Sequence, residues 1–255
     1  MNAHLLNFFD NKVNGLTITK KWRTLSTNDF VFLHIIRKDT METRKVNFNE
    51  CDRIFLEDTF GLVQIQKSDL LNNWIGSGEF HRIDDSEKKI LIRLQDTLSY
   101  RVDDWNEQEL IENFIGPLFS IVNFNTLEYG MFSERLLKAT IGEYELSGYP
   151  DAIVAKGRRY PKIPYFCFHE YKKENEPKGD PAGQCLVAML VAQELNIDRK
   201  PIYGVYVVGR NWFFLVLCGK EYAISKGHNA LEDDIYDIVK LLKHLKTIID
   251  EFVKN

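Results

Sequence analysis

One segment of the sequence constrains the fold more than any other, namely residues 179–196, GDPAGQCLVAMLVAQELN. It opens with Asp180 and Pro181, which are typical of the N-cap and of the first position of a helix, so a helix is predicted to begin there. This helix would be apolar on nearly every side, which is typical of a helix that is buried. A chain of 255 residues is long enough to bury it, within one large domain or two small ones.

The neighbouring segments predict strands and further helices. Apolar residues recur at helical spacing in NEQELIENFIGPLFSIV and in EDDIYDIVKLLKHLKTIIDEF. Short apolar runs bounded by turn signals predict strands. The predicted strands are LLKATIGEYEL, DAIVAKG and PYFCFHEYK before the buried helix, and IYGVYVVG and NWFFLVLC after it. This order of helix, three strands, helix, two strands, helix indicates the α/β (α+β) class, with a central mixed β-sheet flanked by helices.

The first part of the chain has a different pattern. Residues 1–80 alternate short apolar runs with turn signals, among them FVFLHII and TRKVNFNE, which indicates a small α+β or β-rich unit. A polar stretch and a helix near 88–100 follow, and DDWNEQ then offers the start of the next helix. We therefore predict an N-terminal accessory region of unknown role over residues 1–102 and a second domain over residues 103–255.

The charge and the cysteines exclude several classes of protein. The net charge of −4 excludes a protein that grips polyanions by bulk charge, so a nucleic-acid site would have to be a local basic patch. The four cysteines are widely spaced, without a CxxC pair or a nearby histidine pair, which indicates neither a zinc site nor a disulfide framework. We expect them to be buried thiols, and we expect a cytoplasmic protein without a membrane partner.

An acidic residue two positions before a lysine occurs five times in the sequence, so context must select among these triplets. Only Glu170 and Lys172 end a strand-like run. Because side chains alternate across a strand, both would lie on the face that carries Phe166 and Phe168, whereas Tyr165 would lie on the other face. A carboxylate and an ammonium that follow two buried aromatic residues are costly unless the charges are paired or used.

Asp151 is predicted to lie beside Glu170. If residues 152–156 and 164–170 pair as a hairpin, the start of the first strand lies opposite the end of the second. Two adjacent carboxylates raise each other's pKa, and a divalent cation such as Mg²⁺, which binds one or two carboxylates, would relieve this. A plainer interpretation remains open, in which Asp151 caps a Gly-Tyr-Pro-Asp turn and Glu170 forms a surface ion pair with Lys172.

Pro150-Asp151 followed by Glu170-Tyr171-Lys172, in this order of elements, resembles the PD-(D/E)XK nuclease superfamily, which has the restriction-endonuclease-like fold. The resemblance covers roughly residues 104–220. Gln184 lies in the first turn of the helix after the motif strand, where many members carry a glutamine. PIYGVYVVGRNWFFL is similar to a Gly-strand-Gly-x-x-Trp segment of nuclease domains in type I and type IV restriction enzymes, whose first helix carries an acidic residue.

The resemblance implies a restriction-endonuclease-like core and a Mg²⁺-dependent nuclease, with Mn²⁺ as a substitute, that hydrolyses phosphodiester bonds in DNA rather than RNA. The implied site residues are Asp151, Glu170 and the main-chain carbonyl of Tyr171 as metal ligands, Lys172 as the water-positioning group, and Gln184 and Glu107 as supporting residues. Glu107 is preferred to Glu112 because it shares an inward stripe with Ile111 and Phe114.

Four basic residues without an acidic neighbour lie in and beside the predicted hairpin loop, in the segment KGRRYPK. As candidates for contact with a nucleic-acid backbone they are Lys156, Arg158, Arg159 and Lys162, although a solvated loop accounts for them equally well. Nucleic acid, DNA in particular, is thus the expected partner, and a homodimer is left open.

Two other functions remain open. The same fold could lack catalysis and serve as a nucleic-acid-binding or protein-interaction module. A non-nuclease α+β enzyme is the third option, but the sequence contains no phosphate-binding loop, nucleophile elbow or zinc-ligand spacing that would support an enzyme of that kind.

Overall fold

The computed structural model describes residues 10–13, 16–19, 43–175 and 177–254. The chain divides into two compact units, Met1–Thr43 and Arg44–Asn255. In the first unit, strand β1 (Asp10–Val13) pairs antiparallel with β2 (Leu16–Thr19). The predicted run FVFLHII lies outside the described residues.

The second unit combines helices and strands along its whole length. Its helices are α1 (Arg53–Phe60), α2 (Asp69–Ser77), α3 (Asp85–Arg101), α4 (Glu107–Leu110), α5 (Gly116–Val122), α6 (Pro181–Leu195) and α7 (Asp234–Lys254). Short 3-10 turns lie at Phe48–Glu50 and Gly78–Phe80, and a π-helical turn at Ile111–Ile115 joins α4 to α5. Its strands are β3 (Arg44–Asn47), β4 (Val63–Gln64), β5 (Tyr129–Ser133), β6 (Leu137–Ile141), β7 (Tyr144–Gly148), β8 (Ala152–Lys156), β9 (Lys162–Lys172), β10 (Ile202–Val208), β11 (Asn211–Cys218), β12 (Glu221–Ile224) and β13 (His228–Asn229).

The strands form one large and one small sheet. The large sheet has the order β4-β12-β11-β10-β9-β8-β5, and β13 pairs with β11. It is mixed, because β9 and β10 run parallel, as do β12 and β4, whereas its other neighbours run antiparallel. The small sheet has the order β3-β7-β6. The predicted class, α/β with a mixed sheet flanked by helices, is confirmed.

Helix α6 lies between the two sheets. One side of it packs on β9 and β10 of the large sheet, and its other sides contact β6, β7, α1 and the 3-10 turn Phe48–Glu50. Eleven of its 15 residues are buried as a result, which explains why its sequence is apolar all round. Asp180 occupies the predicted N-cap position, but its carboxylate accepts hydrogen bonds from the main-chain N–H and Nε of Arg53 instead of capping α6.

The large sheet separates two hydrophobic cores. On one face, residues of α2, α3, α5 and α7 pack against the sheet around Trp74, Phe114 and Trp212. On the other face, α6 and the small sheet pack around Phe168 and Leu186. The candidate site residues lie where β8 and β9 meet the start of α6.

The predicted domain boundary at 102/103 falls inside the second compact unit, which begins at Arg44. Residues before 103 are built into this unit, because β4 joins the large sheet by pairing Val63 with Glu221. The indole Nε1 of Trp74 also donates a hydrogen bond of 2.9 Å to the carbonyl of Leu241 in α7. An accessory role for residues 1–102 stays a prediction.

Two expectations are corrected, and one strand was missed. LLKATIGEYEL forms a hairpin of two strands, β6 and β7, because Gly142 adopts a left-handed φ of 60° between them. Strand β5 was not predicted from the sequence. Cys51, Cys167 and Cys185 are buried as expected, but Cys218 is exposed, since it ends β11 beside a turn.

No described helix combines the length and the apolar character that crossing a membrane requires.

Candidate active site at the end of the β8–β9 hairpin

The β8–β9 hairpin brings Asp151 to the end of the motif strand. The strands pair antiparallel, as predicted, with Ala152 opposite His169 at the end of the ladder. Asp151 lies just before this pair, and its Oδ2 accepts a hydrogen bond of 2.6 Å from the main-chain N–H of Tyr171. Asp151 and the Glu170–Tyr171 peptide therefore lie together. The carboxylate accepts the hydrogen bond of a main-chain N–H that has no main-chain partner in β8.

A β-bulge in β9 determines which side chains accompany the site. Val154 pairs with Cys167, but Ala155 pairs with Tyr165, which leaves Phe166 as the extra residue. Phe166 therefore packs in the same core as Cys167, and Tyr165 packs with the α6 side of the sheet. The predicted placement of Phe166 and Tyr165 is wrong for this reason.

Beyond the bulge, the alternation is as predicted. Phe168 belongs to the α6 core, and Glu170 and Lys172 line a cavity together with Gln184 of α6. The Nζ of Lys172 lies 2.5 Å from Oε1 of Glu170, and only 8% of each of these two residues is exposed. The acid and the base of the motif are thus a buried ion pair rather than the surface pair of the plainer interpretation.

Two supporting residues from other elements also lie at the site. Glu107 begins α4, and its Oε1 lies 4.0 Å from the Nζ of Lys172. Gln184 is buried in the first turn of α6, and a Cβ on Gly179 would lie 2.6 Å from its Nε2. Gly179, with a φ of +75°, therefore leaves the room that the amide needs. Glu112 instead accepts a hydrogen bond from Gln108 at an exposed position.

Burial sets the protonation of both carboxyl groups. It raises the pKa of Asp151 to about 6, against the opposing hydrogen bond from the Tyr171 N–H. It raises the pKa of Glu170 to about 7, and repulsion from Asp151 adds to this shift while Lys172 opposes it. Glu170 therefore retains a proton in part of the molecules at neutral pH, whereas Asp151 does so mainly below pH 6, and a further cation would favour the ionised form of both.

Lys172 keeps its positive charge. Burial alone would lower the pKa of its ammonium group, but the charge of Glu170, its hydrogen bond, and the charges of Glu107 and Asp151 together raise the pKa above its ordinary value. Lys172 is therefore a fixed cation at neutral pH.

The predicted metal ligands are chemically suited to a hard divalent cation. They are two carboxylates and one main-chain carbonyl, all of which are oxygen donors that Mg²⁺ accepts. In an extended strand the N–H and C=O of one residue point to the same side, and the N–H of Tyr171 points to Asp151. The carbonyl of Tyr171 thus leaves β9 on the Asp151 side. Within the described residues, no group of three or more His, Cys, Asp or Glu side chains has a metal-binding arrangement.

Two cavities meet at Asp151. The smaller, about 330 Å³, is lined by Glu170, Lys172 and Gln184 and by the turn after β3. The larger, about 790 Å³, lies on the α5 side and also includes Asp151 in its wall. Asp151 is the one acidic residue that the two linings share.

The basic loop lies at the other end of the hairpin. Lys156 ends β8 and Lys162 begins β9, whereas Asp151 precedes β8 and Glu170 lies near the end of β9. Five residues of strand span about 17 Å, so this loop is outside the acidic site.

The sequence did not reveal every residue at the site. Glu134 follows β5 with a left-handed φ of 48°, its N–H donates to the carbonyl of Asp151 at 3.3 Å, and its charge helps to raise the pKa of Asp151. The turn after β3 closes the smaller cavity with Phe48, for which Gly148 leaves space. No sequence motif marks either feature, because both depend on pairing between distant segments.

No protein-family model matches this chain, and none of the curated proteins matches it either. The functional assignment therefore depends on the geometry of the site and on the sequence motif.

Proposed function

We propose that this protein is a Mg²⁺-dependent nuclease with a restriction-endonuclease-like core, which hydrolyses phosphodiester bonds and has DNA as its favoured substrate. One observation carries the proposal. Asp151 and Glu170, whose carboxyl pKa values are both raised, lie together at the end of the β8–β9 hairpin with the charged Lys172. Such a cluster of perturbed groups beside a cavity is typical of a catalytic site.

Asp151, Glu170 and the carbonyl of Tyr171 would hold the cation, with Mn²⁺ able to replace Mg²⁺. A cation held there would supply polarisation of the phosphodiester and a lowered pKa for an attacking water. One oxygen of Asp151 is already fixed by the N–H of Tyr171, so the other is oriented for binding. This preorganisation reduces the entropy that the site loses when a ligand is bound.

Lys172 stabilises negative charge and orients water. Because its ammonium group stays protonated at neutral pH, it acts as a hydrogen-bond donor and not as a general base. Glu170 at 2.5 Å and Glu107 at 4.0 Å hold the Nζ in place. The ammonium is thereby positioned for the charge that develops on the phosphate in the transition state. Gln184 lines the same cavity and supplies a neutral amide for substrate oxygen atoms.

To test the proposal, cleavage of pooled DNA and RNA is measured in the presence of Mg²⁺ or Mn²⁺. The wild type is compared with the variants Asp151→Asn and Lys172→Met. Removal of one group that stabilises transition-state charge costs about 100- to 1000-fold in rate. Lys138→Met is the matched control, because Lys138 forms a strand ion pair of 2.8 Å with Glu145 outside the site. We expect cleavage by the wild type and the control alone. Full cleavage by both site variants would contradict the proposal.

A second candidate is a silent nuclease-like fold that binds nucleic acid or another protein. The observation in its favour is that Lys172 neutralises Glu170 in an ion pair of 2.5 Å. A Mg²⁺ titration separates the two functions. A cation site raises the melting temperature as the cation concentration rises above its dissociation constant. This rise should vanish in Asp151→Asn, whereas a silent module should show no such rise.

A further inference from the structure

The larger cavity has the size of a ligand site, and the motif and the proposed chemistry use only its edge at Asp151 and Tyr171. Its volume of about 790 Å³ lies within the range of small-molecule sites. Its wall is apolar over Ile111, Ile115, Phe119, Phe124 and Met131, and polar groups surround this apolar part.

Two asparagines in the wall have fixed orientations. The Oδ1 of Asn123 accepts a hydrogen bond of 3.1 Å from the N–H of Asn125, and the Oδ1 of Asn125 accepts one of 3.1 Å from the N–H of Met131. Each amide therefore directs its NH₂ group away from the main chain that holds it. Both asparagines are exposed, and among the described residues none accepts a hydrogen bond from either NH₂ group, so these two oriented donors are accessible to a ligand as well as to water.

A buried hydroxyl is also without a partner. Tyr171 lines the same cavity and is almost fully buried, and its phenol oxygen has no hydrogen-bond partner within the described part of the chain. This oxygen is enclosed by the protein and does not open onto the cavity, so the polar contacts offered to a ligand there are those of the asparagines and of Asp151.

The position of the cavity identifies the class of ligand. Asp151 lines both this cavity and the smaller one that contains Lys172. A ligand that fills both has an anionic group on one side of Asp151 and, on the other, a group with apolar faces and hydrogen-bond acceptors on its edge. A nucleotide has both parts, since base faces contact apolar side chains and base edges accept hydrogen bonds from amides.

We propose that this cavity receives one unpaired nucleobase of the strand whose phosphodiester lies at Asp151 and Lys172. The inference rests on the proposed nuclease function and specifies its substrate, a nucleic acid that is single-stranded or locally unpaired. A base inside a stacked duplex cannot enter a cavity of this kind unless it leaves the stack.

Hexamers of identical phosphate content test the inference. Affinity for oligothymidylate is compared with affinity for an abasic hexamer by fluorescence anisotropy in metal-free buffer, where the proposed cleavage does not run. Because the phosphate contribution is the same in both, the ratio of the two dissociation constants reports on base contacts. We expect the wild type to bind the hexamer with bases at least about tenfold more tightly, which is the usual scale for one well-placed base.

Ser120→Tyr would fill the cavity from α5, where Ser120 is exposed in the wall and its Oγ donates to the carbonyl three residues earlier. Ser99→Tyr is the matched control, because Ser99 is exposed on α3 with the same local hydrogen bond and does not line the cavity. We expect the preference for bases to fall to near one in Ser120→Tyr and to persist in Ser99→Tyr.

Asn125→Asp provides a second variant should Ser120→Tyr fold poorly. It keeps an oxygen for the N–H of Met131 but replaces the donor with an acceptor. We expect the same loss of preference for bases, with an unchanged melting temperature. A wild-type ratio near one, or a ratio that Ser120→Tyr and Asn125→Asp both leave unchanged, overturns the inference.

Cleavage in Mg²⁺, measured in parallel, separates this inference from the nuclease proposal. Cleavage combined with an unchanged ratio in the cavity variants overturns the base site and leaves the nuclease. A changed ratio without cleavage overturns the nuclease and supports the base site. Failure of the wild type to bind either hexamer overturns the base site.

Discussion

The carboxylate of Asp151 accepts a hydrogen bond from the main-chain N–H of Tyr171 at 2.6 Å. This contact lies just beyond the last pair of the β8–β9 ladder. A side-chain hydrogen bond to Asp151 therefore follows the main-chain hydrogen bonds between the two strands. It fixes Asp151 beside Glu170 through a contact within the chain itself. The site is therefore formed by the hairpin itself. Burying the carboxylate of Asp151 lowers the stability of the folded protein even before substrate binds.

Because the buried, ionised carboxylate destabilises the folded protein, we expect Asp151→Asn to stabilise the protein at alkaline pH. The folded-state pKa of Asp151, about 6, exceeds its ordinary value of 3.8, so the folded state binds more protons than the unfolded state between these pH values. Stability contributed by this group is therefore lost as pH rises toward 6 and stays lost above it. Asparagine retains an oxygen for the Tyr171 N–H without the buried charge.

We expect Asp151→Asn to raise the free energy of unfolding by about 1 to 3 kcal/mol at pH 8, and by less at pH 5. Urea unfolding at both pH values measures this difference. Asp104→Asn, at an exposed position, serves as the control and should leave the stability unchanged at both. Equal stability of Asp151→Asn and the wild type at pH 8 would show that the buried carboxylate costs nothing.

Divalent-cation affinity should fall as the pH falls. A cation binds the ionised forms of Asp151 and Glu170, whose pKa values are about 6 and about 7. Binding at pH 6 must therefore displace protons, whereas at pH 8 both groups are already ionised. We expect isothermal titration with Mg²⁺ or Mn²⁺ to give weaker binding at pH 6 than at pH 8, with proton release at pH 6. Affinity that does not change over this range would place the cation elsewhere.

A pair of histidines outside the candidate site, His81 and His244, should make the stability of the fold sensitive to acid. The Nε2 of His81 lies 3.2 Å from the Nδ1 of His244, a hydrogen bond that requires at least one neutral ring. Burial lowers the pKa of both rings, and the charge of Lys243 lowers that of His81 further, while Glu251 opposes the shift at His244. Since the folded pKa values lie below the unfolded value of 6.5, the stabilisation is present above pH 6.5 and is lost as pH falls.

His81→Gln isolates this contribution, because glutamine can still form a hydrogen bond to His244 but does not titrate. As the pH falls from 7 to 5, the free energy of unfolding should fall more in the wild type than in His81→Gln. Chemical denaturation at several pH values in that range measures the difference. Parallel stability profiles for the two proteins would contradict this assignment.

The sequence predicted the elements whose signals are local. The start of α6 follows from Asp180 and Pro181, and the hairpin that joins Asp151 to Glu170 follows from two short strands and a loop. Burial of α6 also followed from its composition. Each of these needs only a few neighbouring residues, so sequence patterns contain the information.

The features that escaped prediction depend on contacts between distant segments. The bulge at Phe166 exists because Ala155 pairs with Tyr165. No pattern in the sequence of β9 predicts this pairing. The small sheet needs β3 to pair with β7, about 100 residues later, and this pairing places residues before 103 in the wall of the site. The predicted boundary at 102/103 falls inside the compact unit that begins at Arg44.

Gly183 tests the association between these early residues and the motif helix. A Cβ at this position of α6 would lie 2.7 Å from the carbonyl oxygen of Cys51 and 2.8 Å from the Cα of Asp52. Both neighbours are main-chain atoms at the start of α1, so they cannot move aside as a flexible side chain would. Gly183→Ala should therefore destabilise the protein by about 1 to 3 kcal/mol, as overpacking does, although alanine favours a helix.

Gly76→Ala is the matched control, because Gly76 lies within α2 and its Cβ would meet nothing within 4 Å. There the higher helix propensity of alanine should stabilise the protein, by up to about 1 kcal/mol. Urea unfolding of both variants gives the two signs. If Gly183→Ala were also stabilising, α6 would not be in close contact with the main chain of α1, and residues 44–102 could be an independent region after all.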